Sequence, residues 1–92
     1  MKVRWTKPAL DRLRVHREWL ETLESANPRK IIAAIRNSVK SIERLGDIGR
    51  PSSVKGHREL SVRHVPYVII YRIEDGVCLI ATVYHTAQER KL

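Results

Sequence analysis

The sequence predicts an α+β domain: an N-terminal strand and a two-helix hairpin packed on one face of a mainly antiparallel four-stranded sheet. Three observations carry that expectation. Two stretches with apolar residues at helical spacing come first, three runs with strand character follow, and the junction of the last two is an Asp-Gly turn. Helices in one block and strands in the next define an α+β order rather than a βαβ alternation. Ninety-two residues make one domain, residues 1–92, with a single core.

The first element is Lys2-Val3-Arg4-Trp5, short and alternating, which reads as a strand at a sheet edge. Thr6 suits the cap of the next segment, and Pro8 falls in a first helical turn, where a missing N–H costs nothing. Leu13, His16, Leu20 and Leu23 recur at helical spacing, and Leu10 and Trp19 are expected to widen that stripe. The first helix should span about Lys7 to Leu23. Ser25-Ala26-Asn27-Pro28 stops it, because a residue before proline is pushed out of the helical region. Asn27 then caps a second helix with Pro28 at its first position. Ile31, Ile32, Ile35, Val39, Ile42 and Leu45 form its apolar stripe, and Gly46 ends it.

Residues 46–53 contain two glycines and a proline and are expected to form a loop. In Arg58-Glu59-Leu60-Ser61-Val62-Arg63, Leu60 and Val62 alternate with polar residues, the pattern of a half-buried strand whose other face is polar. Val68 to Ile73 carries β-branched and aromatic groups on both faces, which suits a central strand. Glu74-Asp75-Gly76-Val77 supplies two positions tolerant of positive φ, so the central strand and Cys78–Tyr84 form a hairpin. With both helices on one side, the opposite sheet face is expected to stay open and to carry function.

Lys and Arg number 18 against 10 Asp and Glu, a net charge of +8, so the expected partner is acidic: nucleic acid or an acidic protein segment. A membrane partner is disfavoured. No apolar run approaches the ~20 residues of a spanning helix, and no signal peptide precedes Trp5, so a cytoplasmic location is expected. Cys78 is the single cysteine. It permits no intrachain disulfide and reads as a small buried residue. His16, His57, His64 and His85 lack metal-ligand spacing, and no metal or other cofactor is expected.

His85 follows an apolar strand at once and sits near Thr86 and Gln88, where an imidazole could act as general acid or base or serve as a hydrogen-bonded structural group. Arg50, Lys55, Arg58, Arg63, Arg72, Arg90 and Lys91 form a basic set that suits phosphate contacts or an acidic protein partner. Tyr67, Tyr71 and Tyr84 read as core or cross-strand residues before base-stacking ones. No Ser-His-Asp, paired-carboxylate or glycine-rich phosphate signature is present.

Leu45 with Gly49-Arg50-Pro51, then Gly56-His57-Arg58-Glu59-Leu60, Pro66-Tyr67-Val68-Ile69-Ile70-Tyr71-Arg72 and Val83-Tyr84-His85 occur in an order that resembles the RelE/ParE superfamily of small bacterial toxins. The resemblance covers nearly the whole chain. It implies the toxin of a type II toxin–antitoxin module, wrapped by a cognate antitoxin whose DNA-binding part lets the complex repress its own promoter. Two activities share that fold, so the fold does not choose between them. ParE-like members poison DNA gyrase; RelE-like members cut messenger RNA inside the ribosome. His85 matches the histidine of members that end in a Tyr-His-Tyr segment, although Thr86 replaces their last tyrosine. The cutting branch otherwise has basic residues where this chain has Glu59 and Ser61, an arginine where it has Val68, and in several members a tyrosine near the C-terminus. Those departures favour the ParE-like reading. In the alternative, a ribosome-dependent endoribonuclease, His85 would be general acid or base and Arg58 or Arg63 would stabilise the phosphate. Arg50, Lys55, Arg72, Arg90 and Lys91 are then the candidates for the target or antitoxin surface. A further alternative is a non-toxic RNA-binding module, on charge alone.

Overall fold

The computed structural model describes residues 1–87. Its elements run β1 (Lys2–Trp5), α1 (Lys7–Glu21), α2 (Pro28–Leu45), β2 (Arg50–Pro51), β3 (Arg58–Ser61), β4 (Tyr67–Glu74) and β5 (Val77–His85). The strands form one sheet in the order β1-β5-β4-β3-β2. β1 runs parallel to β5 and every other pair is antiparallel. The sheet therefore has five strands rather than the expected four. The addition is β2, whose Arg50 and Pro51 pair with Glu59 and Arg58. Its proline is tolerated because an edge strand need not donate on its outer side.

Local signals set the helix ends. Thr6 works twice: its hydroxyl oxygen accepts from the Ala9 N–H at 3.3 Å and its O–H donates to the Ile80 carbonyl at 2.7 Å. One side chain thus starts α1 and ties it to β5. The Asn27 side chain accepts from the Lys30 N–H at 3.1 Å, and α2 ends at Gly46, whose φ of 89° favours glycine. α1 stops at Glu21, two residues before the expected Leu23, where the Thr22 hydroxyl bonds the Trp19 carbonyl at 2.6 Å.

The two helices cover one sheet face. Ala9, Leu13, Ile35, Val39 and Ile42 pack against Val62, Tyr67, Ile69, Tyr71, Cys78, Ile80 and Val83. α1 meets the sheet along the single row Ala9, Leu13, His16 and Leu20, so its buried stripe is narrower than expected. Leu10 and Trp19 remain 49% and 47% exposed instead of widening it. Leu45 is also exposed, and the α2 stripe ends at Ile42.

The opposite sheet face is not open. Val68, Ile70, Tyr84 and Glu59 are all buried there, with Val54 and Ala81 packed on the first three. Val54 reaches them because the loop after β2 folds back, with Ser52 N–H donating to the His57 carbonyl and Val54 N–H to Ser52 Oγ. The hairpin at Asp75-Gly76 forms as expected, with φ of 50° and 75°. A bulge then interrupts the β4/β5 register: Ile70 faces Thr82 but Tyr71 faces Ile80, leaving Ala81 extra. Alternation along β5 is reset there. Cys78 and Ile80 before the bulge, and Val83 and His85 after it, all lie on the helix side.

Candidate functional site

That reset turns His85 toward the helices. Directly opposite Tyr67 in the register, it lies edge-on to the Tyr67 ring at 5.3 Å between centroids and to Trp19 at 6.4 Å. His16 completes the set, 5.4 Å from Tyr67 and 6.4 Å from Trp19, again edge-on. Four aromatic rings therefore close a loop of T-shaped contacts, the geometry their quadrupoles favour. Beside it opens a cavity of about 430 Å³ lined by Arg12, Val15, His16, Trp19, His85 and Ala87. The Ala87 N–H donates to His85 Nδ1 at 3.1 Å, so the neutral ring carries its proton on Nε2. Tyr67 Oη and His16 Nδ1 lie 3.4 Å apart below. Among the described residues the site is an apolar cleft lined by two imidazoles and one cation, Arg12.

The basic candidates are distributed elsewhere. Arg58 donates from Nη2 to the Gly49 carbonyl at 2.7 Å and sets Nε 2.9 Å from Asp47. Arg50 pairs with buried Glu59 at 3.0 Å and donates to Ser61 Oγ at 3.0 Å. Ser52 donates to the second Glu59 oxygen at 3.3 Å. Arg72 pairs with Glu74. Lys55 and Arg63 are exposed, while Arg90 and Lys91, like Gln88, lie outside the described residues. His85 and Arg58 face Tyr67 and Tyr71 respectively, four residues apart on β4, which is roughly 13 Å along the strand. Arg63 sits on the β3–β4 turn near α2. His85, Arg58 and Arg63 are not brought together around one point.

Tyr71 is the keystone of the Arg58 region. Its O–H donates to Asp47 and its oxygen accepts from the Gly49 N–H at 2.8 Å. Burial first, then the bond to Asp47, push its phenol up to about 12 from the ordinary 10.0. The unfolded chain ionises first, so this contribution to stability is complete below pH 10 and is lost as pH rises toward 12. It amounts to about 3 kcal/mol. Denaturant melts across that window should show stability falling, and Tyr71→Phe should flatten the fall. Part of it persists through Cys78, which burial raises to about 11. A slope in Tyr71→Phe equal to wild type would refute the assignment.

Among the described residues, no group of three His, Cys, Asp or Glu side chains is placed to hold a metal ion, and no helix is long and apolar enough to cross a membrane. His85 was legible from its place at a strand end. His16 and Trp19 were not assigned to a site, although their i, i+3 spacing puts them side by side on a helix.

Comparison with known proteins matches this scaffold to bacterial toxins. A chain of the chromosomal ParDE toxin–antitoxin system from P. aeruginosa superposes with a TM-score of 0.82 at 24% identity, covering 92% of this chain and 95% of that one. A chain of the RelBE2 toxin–antitoxin complex from Mycobacterium tuberculosis does so at 0.65 and 24%, covering 91% and 95%. These likenesses define the fold class, a small α+β scaffold with two helices on one face of the sheet. The candidate toxin Y4kP of Sinorhizobium fredii is 33% identical over 88 residues, 96% of this chain and 91% of that protein. Residues 3–90 match the model for the ParE toxin of the type II toxin–antitoxin system parDE. The chain belongs to the ParE toxin family.

Proposed function

We propose that this toxin acts by inhibiting DNA gyrase and is neutralised by a cognate antitoxin. The observation that carries the choice of target is the disposition of its cations: Arg50 and Arg58 are spent on the chain's own Glu59 and Asp47, and buried Val68 offers no charge. Cutting a phosphodiester needs positioned cations and a proton-transfer group around one phosphorus. His85 is not placed with Arg58 or Arg63: its ring is packed edge-on against Tyr67 and Trp19, in a cleft whose cation among the described residues is Arg12. The ParE family match supports the same direction. For the antitoxin, a net charge of +8 and the apolar cleft beside Trp19 favour a segment that mixes acidic and apolar residues.

Purified protein should inhibit supercoiling by gyrase or trap cleaved DNA, and should leave ribosome-bound messenger RNA intact. Addition of the adjacent gene's product should relieve the inhibition. His85→Gln is expected to change gyrase inhibition only a few-fold, because that activity gives this side chain no covalent bond to break. Were the chain a nuclease, the same substitution would slow cleavage by roughly 10²–10⁴-fold. Codon-specific cuts that vanish in His85→Gln, with gyrase unaffected, would overturn the proposal.

A further inference from the structure

The outer side of α2 and the β3–β4 turn enclose a second opening, away from the aromatic cleft. It measures about 330 Å³ and is lined by Ala34, Asn37, Ser38, Ser41, Arg63 and His64. No carboxylate is among those lining residues. The Ser38 hydroxyl, the Asn37 amide, the Arg63 guanidinium and the His64 imidazole have no hydrogen-bond or ion-pair partner among the described residues. Ser38 is 8% exposed, and its hydroxyl is not fully enclosed, so it stays open to the cavity. His64 holds a left-handed backbone, φ 68°, a region sparsely used by residues with side chains and often associated with functional sites.

We infer that this opening is a subsite for a phosphate group of a nucleic-acid strand. The donor set matches the ligand: a guanidinium fork supplies paired N–H groups and charge, while the hydroxyl, amide and imidazole N–H supply further donors to tetrahedral oxygens. A strand fits better than a free ion because the cations do not stop at the opening. Lys30 lies one turn before Ala34 and Arg44 one turn after Ser41, on the same helical row, both exposed and about 21 Å apart along the axis. A free phosphate would use the opening alone. Neighbouring phosphates of a strand would meet the row. This inference is independent of the target proposed above, since it uses none of the residues on which that choice rests.

The test uses the full-length chain, titrated by NMR first with inorganic phosphate and then with a short single-stranded oligonucleotide. Phosphate should shift the Arg63 side-chain N–H and the Ser38 amide saturably, and the oligonucleotide should shift these together with Lys30 and Arg44. Arg63→Gln should weaken oligonucleotide binding about tenfold, as loss of a charge-assisted bond does, and lower the slope of log affinity against log salt by about one. Asn37→Ala, at an exposed position, should weaken binding without altering the thermal melt. Arg36→Gln removes a cation from the groove between the helices and should act much less than Arg63→Gln. Equal loss in Arg36→Gln and Arg63→Gln would show a diffuse polycation and overturn the subsite. Saturable shifts with phosphate but none with the oligonucleotide would assign the opening to a free oxyanion and overturn the strand. Absence of shifts at Arg63 and Ser38 with both probes would overturn the inference altogether.

Discussion

Ile35→Ala is expected to lower the unfolding free energy by about 2–5 kcal/mol, the range for deleting a large aliphatic side chain from a packed interior. Ile35 is fully buried and belongs to the cluster that joins α2 to the sheet, with Val39 and Ile42 on its own helix and the β4 and β5 side chains opposite. A domain of this size has only a few kcal/mol to spare, so the variant should be largely unfolded near body temperature and non-toxic for that reason. Circular dichroism melts in denaturant decide the matter. A variant that keeps wild-type stability but loses toxicity would move this face of α2 out of the core and into recognition.

A second large loss is expected from Gly49→Ala. Its backbone needs no unusual φ; the space around it is what forbids a side chain. A Cβ there would lie 2.5 Å from Tyr71 Oη and 2.6 Å from the Glu59 carbonyl oxygen, both far inside van der Waals contact. Tyr71 is fully buried and the carbonyl belongs to β3, so neither gives way freely. Overpacking of this kind costs about 1–3 kcal/mol or more. The Asp47, Gly49, Arg58 and Tyr71 contacts would part together, so the effects of Gly49→Ala and Tyr71→Phe should not add. Wild-type stability in Gly49→Ala, or strict additivity in the double variant, would count against this account.

What could be seen in the sequence was whatever a few neighbouring residues decide. Thr6 with Pro8, Asn27 with Pro28, Gly46, and Asp75 with Gly76 each act within a turn of themselves, and each stands where expected. Pairing across the chain was harder to see. β2 escaped notice because two residues, one a proline, carry no period, and only Glu59 and Arg58 opposite give them strand geometry. Glu59 looked like a solvent-facing residue on a polar face, yet it is buried with its charge paired by Arg50 of β2 and a hydrogen bond from Ser52 of the loop that follows. The same loop carries Val54 onto the face expected to be open. For the candidate site, alternation put His85 at a strand end, but its orientation toward Trp19 depends on a bulge at Ala81 that no composition marks.

The pairing of the first strand with the last one has a consequence for how the molecule comes into being. Among the described residues β1 has no other strand beside it, and Lys2–Trp5 must wait for Val77–Ile80, more than seventy residues later, before their backbone groups are satisfied. Thr6 waits as well, since its link to Ile80 spans 74 residues. During synthesis the helical hairpin therefore emerges with an apolar side and no sheet to receive it. The native sheet closes only when β5 arrives, and closure over so long a separation is slow compared with forming either helix. Synthesis thus delivers an unclosed chain first and a finished toxin only afterwards, which gives a protein that binds the apolar hairpin an interval in which to meet it before it can do harm.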